Sequence, residues 1–267
     1  MNSYNDAINH TSPDVIEKLC RLAKEAGSVI MSIYESNFEV QYKADRSPLT
    51  AADKASHKVI VEGLKIAFPA IPILSEEGAD IDYAKRKKWE RFWLVDPLDG
   101  TKEFIKHNGE FTVNIALIEG QAPILGLIYV PAQDKLYWGL AGNGAWKRQG
   151  NNKPEVIKVR KPNREKGLTI VMSRSHPSPE LENYLKKMKI AEALPMGSSL
   201  KFCAVAEGKA DLYPRFGPTM EWDTAAGNAI VLAAGGQVAT LEGGTLKYNK
   251  AIWLNPFFIV SAQTLQS

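Results

Sequence analysis

Hydrophobic positions in the first 70 residues recur at the spacing of two amphipathic helices. Ser12-Pro13-Asp14 is a typical helix start, with proline at the first helical position. Apolar residues then follow at intervals of three or four: Val15, Leu19, Leu22, Ala26 and Ile30. A second helix is predicted over residues 51–67, and Pro69 ends it.

Short apolar runs after residue 70 predict strands instead of helices. Runs bounded by turn residues lie at 71–74, 92–95, 111–118, 124–130 and 135–139. The last three are joined by short segments that contain glycine or proline, so they predict an antiparallel meander.

The second half of the chain alternates strands and helices. Strands are expected at 168–172 and 210–213, and helices at 178–188, 199–207 and 223–234. The polar stretch 150–165 is expected to separate an N-terminal lobe, 1–160, from a C-terminal lobe, 161–267. The pattern therefore predicts a layered α/β fold (α+β, with alternating helix and sheet layers).

Composition narrows the class of protein without naming a function. No run of about 18 apolar residues predicts a membrane span. The net charge of +3 is too small to indicate nucleic-acid binding. The N-terminus lacks the basic and apolar regions of a signal peptide, and two cysteines, Cys20 and Cys203, are too few for a disulfide framework. We therefore expect a cytoplasmic protein with two buried thiols. A monomer and a homodimer both stay open, because the sequence does not give the oligomeric state.

One basic run, Lys85-Arg86-Lys87-Lys88, stands out from this balanced charge. It is expected to form a solvated face in front of a strand. The alternative is contact with an anionic membrane surface, which would make the protein peripheral on the inner face of the cell membrane.

The most informative stretch is Asp96-Pro97-Leu98-Asp99-Gly100-Thr101, directly after the apolar run Phe92-Trp93-Leu94-Val95. Pro97 has no N–H to donate, so the strand is expected to end here. Two carboxylates on a rigid strand end are costly unless a cation lies between them. Because no His or Cys accompanies these acids, a hard divalent cation is indicated, Mg²⁺ or Mn²⁺, and zinc or iron is disfavoured.

Three more acidic positions occur in similar settings. Glu76-Glu77 follows a predicted strand, Asp223 opens an Ala- and Gly-rich helix, and Asp53 begins the second helix. Each position has an ordinary alternative explanation. Glu76-Glu77 could be a solvated pair, Asp223 a helix cap and Asp53 an exposed residue in the first turn of a helix. The Asp96 motif could likewise be a plain turn. These alternatives leave unexplained why two successive strands both end in paired acids.

Two segments together resemble the signatures of the inositol monophosphatase superfamily of magnesium-dependent, lithium-sensitive phosphatases. They are Asp96-Pro97-Leu98-Asp99-Gly100-Thr101 and Trp222-Asp223-Thr224-Ala225-Ala226-Gly227. Further matching pieces follow the family's order: Glu76-Glu77, Gly197-Ser198-Ser199, Ala204-Val205-Ala206-Glu207-Gly208 and Asp211-Leu212-Tyr213. The resemblance covers about residues 19–260 and implies the inositol monophosphatase and fructose-1,6-bisphosphatase-like sugar phosphatase fold.

The resemblance also implies a site. Its metal ligands, for two or three Mg²⁺ ions with Mn²⁺ as a substitute, would be Glu76, Asp96, Asp99, Asp223 and the backbone carbonyl of Leu98. Gly100 and Thr101 would begin a helix whose N–H groups hold the substrate phosphate. The Thr101 hydroxyl and Asp53 would orient and deprotonate a metal-activated water that attacks in line.

Several cationic and hydroxylic positions indicate the substrate. Lys102-Glu103-Phe104 stands where inositol monophosphatases usually carry Thr-Asn-Phe or a close variant. These departures resemble the 3′(2′),5′-bisphosphate nucleotidases of the same superfamily. By that resemblance, four residues would bind the nucleotide phosphate that does not react: His176, Ser198, Lys201 and Arg215. Taken singly, Lys201 is better explained as a snorkelling helix residue and His176 as a turn residue.

This resemblance implies a phosphatase that removes the 3′-phosphate of adenosine 3′,5′-bisphosphate, giving AMP and phosphate, in sulfate assimilation. The sulfated relative, 3′-phosphoadenylyl sulfate, is a second expected substrate. Two alternatives stay open: an inositol or other sugar-phosphate monophosphatase, and a catalytically inactive protein that binds nucleotide. The intact set of acids disfavours the inactive protein. A phospho-aspartate mechanism of the haloacid-dehalogenase type is disfavoured because its Asp-x-Asp-x-Thr spacing is absent.

Overall fold

The computed structural model describes residues 11–37, 39–42, 48–173 and 179–262. The helices in this part of the chain are α1 (Pro13–Tyr34), α2 (Ala51–Ala67), α3 (Tyr83–Arg86), α4 (Thr101–Ile105), α5 (Pro179–Leu185), α6 (Leu200–Ala206) and α7 (Glu221–Ala233). The strands are β1 (Val40–Tyr42), β2 (Pro48–Thr50), β3 (Ile73–Ser75), β4 (Arg91–Asp99), β5 (Thr112–Glu119), β6 (Ala122–Val130), β7 (Lys135–Leu140), β8 (Gly144–Gln149), β9 (Glu155–Ile157), β10 (Leu168–Met172), β11 (Ile190–Pro195), β12 (Leu212–Arg215), β13 (Gln237–Thr240) and β14 (Phe258–Ser261).

The larger sheet has seven strands in the order β3-β4-β5-β6-β7-β8-β9. Strands β4 to β9 pair antiparallel, and only β3 joins its neighbour in parallel. The predicted meander is therefore confirmed as the centre of this sheet. Strands β8 and β9 were not predicted, because β8 ends in three polar residues and β9 has only three residues, so neither contains a long apolar run.

The smaller sheet has five strands in the order β11-β10-β12-β14-β13. Strand β10 pairs in parallel with both β11 and β12, and α5 lies between β10 and β11 in the chain. The predicted strand–helix–strand alternation of the second half is thus confirmed. Strands β11, β13 and β14 were missed by the periodicity analysis.

Helices and sheets alternate in layers, as predicted. Helices α1 and α2 pack together on one face of the seven-stranded sheet. Helices α6 and α7 pack between its other face and the five-stranded sheet, in one continuous apolar core. Residues of α5 cover the outer face of the smaller sheet. The order is therefore helix, sheet, helix, sheet, helix.

Helix α7 approaches the large sheet closely because glycines face it. A Cβ at Gly126 would lie 2.2 Å from the Ala226 carbonyl oxygen, and one at Gly139 would lie 2.6 Å from the Ile230 Cα. Only glycine leaves room for this contact between helix and strand. The N-terminus of α7, which carries Asp223, is thereby held against the sheet that carries Asp96 and Asp99.

Candidate active site

Strand β4 passes through Pro97 and ends at Asp99, so the predicted end at the proline is wrong. Asp96 pairs with Asn114 of β5 and Asp99 pairs with Thr112, which places three steps of β4 opposite two steps of β5. Residues three apart in a regular strand point to opposite faces. The bulge adds one residue to β4, so the regular alternation of faces is interrupted and the carboxylates of Asp96 and Asp99 can lie on the same side of the strand.

Gly100 links this bulge to α4. Its φ of +91° lies in the left-handed region, which glycine adopts without strain. A Cβ at this position would also lie 3.0 Å from the Glu110 carbonyl oxygen and 3.1 Å from the Ser198 Cβ. The predicted helix start at Thr101 is confirmed. The residue before it must be glycine, because of its positive φ and because a Cβ would lie too close to its neighbours.

Asp53 is the third residue of α2 and is 3% exposed, so the exposed first-turn alternative is wrong. Its Oδ2 accepts hydrogen bonds from the Thr50 amide and hydroxyl, each 2.7 Å long, and so closes a capping box. The Thr101 hydroxyl lies 3.2 Å from Asp53 Oδ1 and 3.4 Å from the Leu98 carbonyl oxygen. Asp53 thus caps one helix with one oxygen and contacts Thr101 with the other.

Asp223 has the same local role in α7. It is the third residue after the cap Met220, and its Oδ2 accepts the Met220 amide across 2.8 Å. The alternative that Asp223 is itself the N-cap is therefore wrong, because Met220 is the cap and Asp223 completes the capping box. That bond uses one of the two Asp223 oxygens, so capping is compatible with metal ligation at this residue.

Glu76 lies in the single 3-10 turn Glu76–Gly78 that follows β3. It is half-buried, so it is not a freely solvated residue. Its negative charge is among the causes that raise the pKa of Asp96 and of Asp223. The turn therefore brings a third segment of the chain to the acidic cluster.

The ionised carboxylates of this cluster repel one another when no cation is bound among them. Burial raises the pKa of Asp96 well above its usual range, and the charges of Glu76, Asp99, Asp223 and Asp53 raise it further. Burial and the neighbouring acids likewise raise the pKa of Asp223 well above the ordinary value. Like charges in a poorly hydrated place favour protonation. A bound cation would instead favour the ionised carboxylates.

The donor chemistry fits a hard divalent cation. The candidate ligands are carboxylates and one backbone carbonyl, and none of the described residues that line the adjoining cavity is His or Cys. Among the described residues, no group of three or more His, Cys, Asp or Glu side chains is arranged to hold a metal ion on its own. Magnesium keeps several of its waters, so an open set of carboxylates suits it better than a closed cage.

An open cavity of about 120 Å³ lies beside these acids. Its walls contain six of the residues predicted for the site: Asp99, Gly100, Ser198, Lys201, Arg215 and Asp223. Acids from β4 and α7 and cations from α6 and β12 therefore face one space, although more than 100 residues separate Asp99 from Arg215 in the chain.

Lys201 is 5% exposed, so the snorkelling alternative is wrong. Its ammonium donates to the carbonyl oxygens of Ser198, at 2.6 Å, and Met196, at 3.3 Å. An ammonium has three N–H groups, so one remains for a ligand. Burial lowers the pKa of Lys201 to about 8, and the charge of Asp99 opposes that shift.

Arg215 contributes a second cation at the end of β12. Its Nη2 donates to the Pro218 carbonyl oxygen across 2.9 Å. Its Nε is buried, and the described part of the chain supplies no acceptor for it. A buried N–H donor without an acceptor is costly, so this edge of the guanidinium is suited to donate a hydrogen bond to an oxygen-rich ligand.

Comparison with known proteins agrees with this geometry. The sequence profile of the inositol monophosphatase family matches residues 12–266, almost the whole chain. The protein belongs to that family. Members of the inositol monophosphatase family are generally metal-dependent phosphatases, which agrees with the oxygen-only donor set.

Similar members of the family are bacterial. The 3′(2′),5′-bisphosphate nucleotidase CysQ of Buchnera aphidicola subsp. Acyrthosiphon pisum is 47% identical over 265 residues, which cover 97% of this chain and 98% of the relative. The same enzyme of Escherichia coli strain K12 is 48% identical over 251 residues, covering 92% and 99%. The crystal structure of CysQ from Bacteroides thetaiotaomicron superposes with a TM-score of 0.83 at 45% identity, covering 95% and 98%. The expected superfamily and fold are confirmed.

His176, predicted to bind the nucleotide phosphate that does not react, lies outside the described residues.

The basic run at Lys85 needs a correction. Lys85, Lys87 and Lys88 are exposed, but Arg86 is 1% exposed and lies 3.5 Å over the Trp253 ring. The prediction of a solvated face is therefore wrong for Arg86.

None of the described helices is long and apolar enough to cross a membrane.

Sequence reasoning missed residues that support the site. Ser199 lies within the motif Gly197-Ser198-Ser199, and its amide donates to Asp99 Oδ2 across 2.6 Å. Ser56 and His57 of α2 were not singled out, although both contact segments that carry predicted ligands. Their spacing of three and four residues after Asp53 was the available signal.

Proposed function

We propose that this protein is a 3′(2′),5′-bisphosphate nucleotidase that removes the 3′-phosphate of adenosine 3′,5′-bisphosphate, giving AMP and phosphate. The proposal rests on one observation: acids suited to bind metal and two cations suited to bind phosphate line a single cavity. The names of the two curated relatives support it. The proposed role is to clear a by-product of sulfate assimilation in the cytoplasm.

The two cations fit a substrate with a second phosphate. A metal site with carboxylate ligands needs no further lysine or arginine to hold the reacting phosphate. Lys201 retains one N–H and Arg215 a buried Nε–H without acceptor, so both can donate charge-assisted hydrogen bonds to a non-reacting phosphate. Ser198 lines the same wall. His176 is proposed to join them by family resemblance alone.

Glu76, Asp96, Asp99, Asp223 and the Leu98 carbonyl are the proposed ligands of two or three Mg²⁺ ions. When bound, Mg²⁺ would neutralise phosphoryl oxygens, lower the pKa of a bound water and stabilise the leaving oxygen. The bulge in β4 supplies two of these carboxylates and the intervening carbonyl from one rigid segment. Mn²⁺ is the proposed substitute, since it prefers the same oxygen ligands.

The proposed proton acceptor is Asp53, acting through Thr101. The Thr101 hydroxyl donates to Asp53 Oδ1, which leaves the hydroxyl oxygen free to accept a hydrogen bond from the attacking water. As the water oxygen bonds to phosphorus and the bond to the 3′ oxygen breaks, one proton of the water passes to Thr101 and the Thr101 proton passes to Asp53. The 3′ oxygen leaves with the bonding electron pair and takes a proton from solvent water. Burial raises the pKa of Asp53, which makes the carboxylate a better base.

A substrate panel tests this function. Phosphate release from adenosine 3′,5′-bisphosphate in Mg²⁺ should greatly exceed release from inositol 1-phosphate, and 3′-phosphoadenylyl sulfate should also be hydrolysed. The reverse order would favour a sugar-phosphate monophosphatase. No release from any ester by protein that binds the bisphosphate would favour the inactive nucleotide-binding protein.

Asp96→Asn tests the metal site. The amide keeps an oxygen to accept the Leu98 amide, so the fold should persist, but turnover should fall by about 10³-fold or more because a ligand charge is lost. Asp80→Asn, an exposed acid nearby, is the matched control and should behave as the unaltered protein. Substantial Mg²⁺-dependent turnover in Asp96→Asn would remove Asp96 from the ligand set.

A further inference from the structure

One face of α2 contacts three segments of the candidate metal site. Asp53, Ser56 and His57 are spaced by three and four residues, so they lie on the same side of the helix. Asp53 contacts Thr101 of α4, as described above. The other two residues contact the backbone or side chain next to proposed ligands.

Ser56 is completely buried, and its hydroxyl donates to the Pro97 carbonyl oxygen across 2.7 Å. That carbonyl belongs to the bulge between Asp96 and Asp99, where the register of β4 and β5 shifts and Pro97 has no paired residue in β5. A bulge leaves its extra residue unpaired in the ladder. Ser56 therefore ties the bulge to α2 by a hydrogen bond from outside the sheet.

His57 has the equivalent position beside Glu76. Its Nδ1 lies 2.9 Å from the Ser75 hydroxyl, directly before the turn Glu76–Gly78. A Cβ at Gly78 would lie 3.2 Å from His57 Cε1, so the imidazole lies across the whole turn. Strand β3 is three residues long and lies at the edge of the seven-stranded sheet, where it pairs with β4. Helix α2 packs against both β3 and the turn that carries Glu76.

We propose that Ser56 and His57 are positioning residues: from one face of α2, they hold the two backbone segments that present Glu76 and the Asp96–Asp99 pair to metal. The inference rests on the proposed function, because those acids are its ligands. Neither side chain touches substrate in this role. Outer partners of metal ligands commonly contribute 10- to 100-fold in metal affinity.

The experiment compares His57→Gln with His57→Asn. Asparagine can place its amide where Nδ1 lies and keep a bond to Ser75, whereas glutamine reaches the position of Nε2 and loses it. Both replacements are polar and similar in size, so packing changes little between them. Ser56→Ala removes the bond to Pro97, and Lys58→Ala, an exposed neighbour on α2, is the control.

Calorimetric titration of each folded protein with Mg²⁺ in the absence of substrate is the readout. His57→Gln and Ser56→Ala should bind Mg²⁺ about 10-fold or more weakly, and His57→Asn and Lys58→Ala within about 2-fold of the unaltered protein. Titrations are run at a temperature at which circular dichroism shows every variant folded.

Three other outcomes would overturn the inference, each for a different reason. Lowered thermal stability with unchanged Mg²⁺ affinity in His57→Gln and Ser56→Ala would mean that the two residues only pack. Equal weakening in His57→Asn and His57→Gln would mean that the bond to Ser75 is not what matters. If the unaltered protein shows no heat of Mg²⁺ binding, the metal site itself is wrong, and the positioning role fails with it.

Discussion

The Ser199 amide donates a hydrogen bond to Asp99 Oδ2 across 2.6 Å and joins two parts of the chain that lie 100 residues apart. Asp99 belongs to the proposed metal ligands, and Ser199 precedes α6, which carries Lys201. The Ser199 hydroxyl also lies 2.8 Å from Asn114 Oδ1 and 2.8 Å from the Thr112 hydroxyl of β5. Ser199 therefore links the proposed metal ligand Asp99 to the helix that carries the proposed phosphate-binding residue Lys201.

Thr101→Val should lower kcat while leaving KM nearly unchanged. Valine has the shape of threonine but cannot pass a proton to Asp53, and general-base catalysis is worth about 10²- to 10⁴-fold. Thr101→Ser keeps the hydroxyl and should retain most of the rate. Steady-state kinetics with adenosine 3′,5′-bisphosphate measures both. Equal kcat in Thr101→Val and the unaltered protein would show that the hydroxyl takes no part.

Lys201→Met should weaken the binding of adenosine 3′,5′-bisphosphate more than the binding of a monophosphate. A hydrogen bond to a charged group contributes about 1.5–3 kcal/mol, so KM for adenosine 3′,5′-bisphosphate should rise about 10- to 100-fold. Adenosine 3′-monophosphate lacks the second phosphate, and its KM should change by less than about 3-fold. Lys209→Met replaces an exposed lysine paired with Glu207 and serves as the control. Equal losses for the two substrates would mean that Lys201 does not contact the second phosphate.

The preference for the bisphosphate should decline with rising pH. Burial lowers the pKa of Lys201 to about 8, so its ammonium is charged below that pH and loses its proton above it. The ratio of kcat/KM for the bisphosphate to that for adenosine 3′-monophosphate should therefore fall between pH 7 and pH 9.5. In Lys201→Arg the ratio should stay level, because a guanidinium keeps its charge. A level ratio in the unaltered protein would contradict the assignment.

Arg86→Met should destabilise the fold, although Arg86 lies within a run of exposed lysines. Its guanidinium donates to Asn249 Oδ1 and to the Ala251 carbonyl oxygen and lies over Trp253. Loss of these contacts should cost about 2–4 kcal/mol, which lowers the thermal midpoint by roughly 5–10 °C. Lys87→Met in the same run should change the midpoint by less than about 1 °C. Similar midpoints for the two variants would show that the buried contacts contribute little.

Much of the local structure could be predicted from the sequence. The first turn of α1, the full extent of α2 and the central meander follow from periodicity and turn residues, because each depends on neighbours in the chain. Strands β8, β9 and β11 were missed, because none contains a long apolar run and their pairing comes from the sheet. The proposed ligands could be named because they belong to short motifs, but the bulge that brings Asp96 and Asp99 to one site could not.

The sequence by itself determined the family, the layered fold and the residue types that a metal-dependent phosphatase needs, because these depend on short segments with defined spacing. Only the tertiary structure decided which distant residues meet: Ser199 with Asp99, Arg86 with Trp253, and α2 with both acidic turns. The physical reason is that such contacts depend on how layers pack and where a strand bulges. Periodicity shows which face of an element is buried, but not which other element covers it.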